Sequence, residues 1–265
     1  MSNRVLLTIE GGVADVRLNR PDKLNGLDLP MFDALVETGK RVAEDRSLRA
    51  VVLSGEGRGF SAGLDFMSFM ASSEGPKRNL FERSADSPAN LAQRAAFIWA
   101  EVPIPVIAAV HGVAFGGGIQ IALAADIRIV APDARLSVME IKWGLIPDMS
   151  GTQTLRRLVA LDVAKELTFT GKIVSGVEAA ELGLATRVSE KPYEDAMTLA
   201  REIAGKSPDA IRAGKRLLNA AGLVSLAEGL QLEEELQRSL MGSPNQMEAV
   251  QANLEKRTPR FRDPD

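Results

Sequence analysis

The chain contains no cysteine. Disulfides, thiolate nucleophiles and cysteine-ligated metals are therefore excluded. A single histidine, His111, rules out a multi-histidine metal centre, and any Ser-His-Asp triad would have to be built on that residue. No run of about 18 apolar residues is present, so no segment is expected to span a membrane. The opening MSNRVLLTIEGG carries too short an apolar run for a signal-peptide core, and a cytoplasmic location is expected. Long basic runs are also missing and the net charge is −3, which argues against nucleic acid as a partner. What is present is ample material for a core: 45% of 265 residues are hydrophobic, enough for one large domain or a domain with an appendage.

Along the chain, Arg4–Ile9 and Val13–Leu18 read as strands around Glu10-Gly11-Gly12, a hairpin signal. Arg20-Pro21-Asp22-Lys23 is turn chemistry, and Asp28 is placed to cap a helix from about Pro30 to Glu44. Arg49–Leu53, Val106–Val110 and Ile127–Val130 are β-branched or apolar and read as buried strands. Gly55–Gly63 reads as a loop and Ala89–Ala100 as a helix, while polar Ala71–Ser87 suits either a lid over a site or a linker. This alternation predicts an α/β fold with mostly parallel pairing. From about residue 193 the pattern turns to helix after helix, at Tyr193–Ala204, Asp209–Ala221, Leu226–Met241 and Gln246–Lys256. Two units follow: an α/β core over 1–192, and a helical region over 193–265 that packs on the core or on a neighbouring subunit.

Two glycine-bearing segments carry the chemical signal, Phe60-Ser61-Ala62-Gly63-Leu64-Asp65 and His111-Gly112-Val113-Ala114-Phe115-Gly116-Gly117-Gly118. Each precedes a predicted helix. N–H groups at a helix start lack intrahelical partners and face the positive end of the dipole, and glycine lets a ligand approach the backbone. Two such starts facing each other would hold an oxyanion. The spacing is not that of a dinucleotide-binding loop.

Together with Arg20-Pro21-Asp22-Lys23-Leu24-Asn25-Gly26-Leu27, Ala125-Asp126-Ile127-Arg128, Glu140, Gly144-Leu145-Ile146-Pro147, Gly151-Thr152, Leu167-Thr168-Phe169-Thr170-Gly171 and Ala179-Ala180-Glu181-Leu182-Gly183-Leu184, these segments resemble the crotonase (enoyl-CoA hydratase/isomerase) superfamily, in order over nearly the whole chain. The resemblance implies a spiral of ββα turns followed by a C-terminal helical trimerisation region. It implies a homotrimer, or a hexamer made as a dimer of trimers, and an acyl-CoA substrate. Coenzyme A would come as part of the substrate, with no permanently bound cofactor and no metal.

The resemblance also implies residue roles. The N–H groups of Leu64 and Gly117 would bind the thioester oxygen and stabilise an enolate. Lys23, Leu24 and Ala62, with Asp65 and Gly116 beside them, fall where relatives hold coenzyme A, although Lys23 alone reads as a solvated turn lysine. Family hydratases use two glutamates. One is retained as Glu140, but the other position is Gln120, whose amide can bind water or substrate and cannot carry a proton at neutral pH. Family Δ3-Δ2-enoyl-CoA isomerases work with one glutamate at the Glu140 position. Asp148 matches an aspartate of dienoyl-CoA isomerases and is either a partner acid or the cap of a helix over Ser150–Leu158. His111 reads as structural. Phe66 and Trp143 could line an acyl pocket, and Lys256 or Arg257 could reach the coenzyme A phosphates. Double-bond isomerisation by Glu140 is therefore expected, with enoyl-CoA hydration, thioester hydrolysis, C–C cleavage and a low-turnover CoA-ester-binding protein as the alternatives.

Overall fold

The structure is a computed structural model that describes residues 3–71 and 79–264. Strands β1 (Val5–Glu10) and β2 (Val13–Leu18) pair antiparallel through Gly11 and Gly12. Both glycines have positive φ, 57° and 79°, as a two-residue hairpin turn of this twist requires. Helix α1 (Leu29–Glu44) begins at Asp28, whose carboxylate accepts the Met31 N–H at 3.0 Å. Strand β3 (Ala50–Gly55) is followed by the glycine-rich loop and by α2 (Phe66–Ala71). The lid or linker expected at Ala71–Ser87 falls largely on 72–78, outside the described residues, and the part after it is turns leading to Asn90. Asn90 caps α3 (Leu91–Glu101) in a reciprocal capping box with Gln93.

Strand β4 (Val106–Val110) then leads through β5 (Val113–Phe115) to α4 (Gly117–Leu123), β6 (Ile127–Val130) and β7 (Arg135–Ser137). A 3-10 turn at Glu140–Trp143 precedes α5 (Gly151–Leu158), α6 (Leu161–Thr170), β8 (Val174–Ser175), α7 (Gly176–Leu182) and β9 (Arg187–Val188). The main sheet has the order β1-β2-β3-β4-β6-β9, parallel except for the first pair. A second sheet, β5-β7-β8, was not expected from the sequence; its strands are two or three residues long, too short for any periodicity to register. The whole is an α/β fold with mostly parallel pairing, as the sequence predicts.

Alternate residues of β3 serve two cores, as pleating dictates. Val51 and Leu53 face the side where α1 and α3 bring Leu35, Phe32 and Trp99. Ala50 and Val52 face the other side, covered by α8 (Pro192–Ala204) through Ala196, Met197 and Ala200. Helices α9 (Pro208–Ala220), α10 (Leu226–Leu240) and α11 (Pro244–Leu254) complete the helical tail. Its four helices match the expected spans to within two residues at each end. Lys215 ties α9 to the sheet: its ammonium is buried, donates to the Ile104 carbonyl at 2.9 Å and pairs with Asp126 at 2.7 Å. Burial pushes its pKa down, and Asp126 opposes that shift.

Candidate active site

The two glycine-bearing segments meet edge to edge. The Ser61 N–H donates to Val113 O at 2.9 Å and the Phe115 N–H to Ser61 O at 3.0 Å, a parallel bridge that fixes their register. On the other side of the first segment, the Leu27 N–H donates to Gly63 O and the Asp65 N–H to Leu27 O, which leaves the Leu64 N–H between them unused. Gly63 has φ 82°, and a Cβ there would lie 2.4 Å from Phe115 O and 3.3 Å from Gly117 N. Only glycine permits this approach. Gly116, with φ 51°, starts α4 without a side-chain cap, and its own N–H is taken by Ser137 O at 3.0 Å. Among the described residues, the Leu64 and Gly117 N–H groups have no protein acceptor. Two donors on adjoining turns are thus available to one oxygen.

Beyond Gly117 the site becomes acidic. Gln120 lies one turn along α4 and is buried. Its Oε1 accepts the N–H groups of Met149 (2.8 Å) and Gly151 (3.0 Å), and its Nε2 donates to Glu140 Oε1 at 2.5 Å. Glu140 is only 8% exposed, and its Oε2 is buried with no protein partner among the described residues. Burial raises the Glu140 pKa; the Gln120 hydrogen bond opposes that, and the charge of Asp148 adds to it. Asp148 is more open than Glu140, and partial desolvation by its surroundings is the main cause raising its own pKa. The reading of Asp148 as a helix cap is corrected. Ser150, in the left-handed conformation at φ 65°, occupies the start of α5, and no side chain caps that helix. Asp148 stands two positions before that Ser150 and makes no capping hydrogen bond to the α5 amides.

The expected coenzyme A residues lie along the outer edge. Leu24 has φ 48°, and its carbonyl accepts the Ala62 N–H at 2.8 Å; Lys23 is exposed beside it. Asp65 is already engaged within the chain. The Ser68 hydroxyl (2.6 Å) and N–H (3.1 Å) and the Arg20 guanidinium (2.8 Å) hold its pKa down to about 2. Its carboxylate braces the turn that carries Leu64. Phe66 packs on Trp143, which ends the Glu140 turn, with ring centroids 4.6 Å apart. His111 uses Nε2 on the Gly57 carbonyl at 2.9 Å, in keeping with a structural role. Arg257 is held by Glu248 (2.6 Å) and Glu255 (2.5 Å) of its own chain, whereas Lys256 is exposed. Among the described residues no group of three acidic or imidazole side chains could hold a metal.

Sequence reasoning missed how Gln120 is held. The one available signal was Gly151, where a Cβ would lie 2.5 Å from Gln120 Oε1.

Comparison with known proteins agrees with this geometry. The family described as enoyl-CoA hydratase/isomerase matches residues 8–264. The short-chain-enoyl-CoA hydratase of Clostridium acetobutylicum is 34% identical over 262 residues, covering 96% of each chain. The human mitochondrial enoyl-CoA hydratase domain-containing protein 2 is 34% identical over 97% of this chain and 88% of its own length. Among solved structures, the enoyl-CoA hydratase from Bacillus anthracis superimposes with a TM-score of 0.89 at 31% identity, covering 99% of this chain and 100% of the other.

Proposed function

The chain belongs to the enoyl-CoA hydratase/isomerase family, and from that premise we propose that it moves the double bond of a 3-enoyl-CoA to the 2-position, with Glu140 as the one proton carrier. The thioester oxygen lies between the Leu64 and Gly117 N–H groups. Charge that develops there when the C2 proton leaves is stabilised by both donors, each worth about 10²–10³ in rate. Glu140 Oε2 takes the C2 proton, electron density spreads over the dienolate, and the same oxygen returns the proton at C4. Bonds and protons balance without water. The observation that carries this reading is the direct Gln120–Glu140 hydrogen bond. The position where a second carboxyl would activate water is filled by an amide that holds no mobile proton.

A second reading, hydration of 2-enoyl-CoA, is favoured by the printed names of the relatives, and in it Asp148 supplies the second titratable group. Incubating the purified protein with 3-enoyl-CoA and, separately, 2-enoyl-CoA distinguishes the two. Isomerisation should be the faster reaction, and Glu140→Gln should lower it by about 10²–10⁴ while acyl-CoA affinity stays within a few-fold. Faster hydration sinks the isomerase reading; binding without turnover of either substrate sinks the enzymatic one.

The helical region over 193–265 exposes Leu218, Leu223, Leu226, Met241 and Leu254, and this supports assembly as a trimer or a dimer of trimers. Lys23, Leu24 and Ala62 are the proposed coenzyme A edge, and a cytoplasmic setting belongs to the same proposal.

A further inference from the structure

We propose that Gln120 is a positioning residue that splints the Glu140 carboxylate, so that Oε1 is always an acceptor and Oε2 is always the oxygen that exchanges a proton. This rests on the reading of Glu140 as the base. The argument begins at the far end of the amide. Gln120 Oε1 accepts two backbone N–H groups, from Met149 and Gly151, which uses both its lone pairs. Nε2 must then point the other way, at Glu140 Oε1. A flipped amide would set its oxygen against a carboxylate oxygen and its NH₂ against two N–H donors, so the orientation is determined at both ends. Gly151 closes the clamp, because any side chain there would collide with the amide.

Two consequences follow for the chemistry. Glu140 Oε1 can accept from the amide whether or not Oε2 carries the proton, so the carboxyl group need not turn during the reaction. The side chain that holds it has no titration of its own, which leaves a single group to ionise in that cluster apart from Asp148. The clamp also joins three separate stretches, α4, the Glu140 turn and the start of α5.

Two variants test the splint. Gln120→Met keeps the volume and removes the hydrogen bonds. It should lower kcat by about 10- to 100-fold, as misplacement of a reacting group does, with KM within about threefold. Gln120→Glu keeps an oxygen for the Met149 and Gly151 N–H groups, so it is the variant expected to fold even if the first does not. It places a second carboxyl against Glu140, and the two must share one proton at that contact. Its kcat/KM profile should become bell-shaped, active with one shared proton and falling when that proton leaves, where the unaltered protein has an acid limb and a plateau. Titration of the Glu140 carboxyl, read by infrared difference against Glu140→Gln, should move upward in Gln120→Met, and this signal does not depend on turnover. Wild-type kcat together with an unmoved Glu140 titration in Gln120→Met, or a Gln120→Glu profile that overlays the wild-type one, overturns the splint. Full activity of Glu140→Gln overturns instead the base assignment on which it rests.

Discussion

Asp65 and Glu140 are carboxylates beside the two glycine-bearing turns, and their surroundings differ sharply. Asp65 receives three donors, from the Ser68 hydroxyl, the Ser68 N–H and Arg20, and stays ionised down to a pH of about 2. Glu140 receives one side-chain donor, is buried, and keeps one oxygen without a protein partner among the described residues. Burial raises its pKa toward the range in which a base can take and release protons. A saturated carboxylate holds a loop; a half-satisfied, desolvated one is available for chemistry. The type of residue is nearly the same in both places, and the count of donors separates them.

The severest way to break that arrangement is through the turn both acids flank. Gly63→Ala introduces a Cβ against Phe115 O at a positive φ, so the Leu64 donor should move. Turnover should drop by about 10²–10³, measured as kcat/KM beside a thermal melt that shows the chain still folded. Asp65→Asn should act mainly on stability. It removes the shorter of the two ion pairs of the buried Arg20, the other being with Asp28 at 3.6 Å, and a buried group left short of a partner costs about 1–3 kcal/mol, read as a lower urea midpoint at neutral pH. Because the folded Asp65 pKa is depressed, its contribution is fully present above the ordinary aspartate pKa, so the difference between the two proteins should shrink as pH falls toward 2.

The mildest change addresses the base. In the proposed reaction Glu140 acts ionised and its pKa is raised, so kcat/KM should fall on the acid side with a midpoint above the ordinary 4.5. Asp148→Asn removes a like charge that contributes to that raise, and the midpoint should shift to lower pH with little change on the plateau. A large loss of hydration in the same variant would instead place Asp148 in a water-activating role.

Much of this arrangement was legible in the chain. The hairpin at Gly11-Gly12, the Asp28 cap and the buried strands at 106–110 and 127–130 follow from local turn and capping chemistry, which a few adjacent residues determine. The meeting of the two glycine-bearing turns was readable because glycine must stand where backbone approaches backbone. Asp148 was half misread, since a favoured cap residue two positions before a helix looks the same in sequence whether or not its backbone allows the contact. The Gln120 clamp left no trace in the chain beyond the glycine at 151. Its partners lie 20, 29 and 31 residues away, and two of them are backbone N–H groups that any residue but proline could provide.

The seating of α8 also bears on how the chain is made. The face of the main sheet formed by Val13, Ala50, Val52, Ile107 and Ala109 has no cover until Ala196, Met197 and Ala200 emerge from the ribosome. At about 5–20 residues per second, that apolar face waits roughly 10–30 seconds after β3 is synthesised. A message cut short before α8 would release a chain with both glycine-bearing turns encoded and one side of its sheet bare, a substrate for chaperones and proteases.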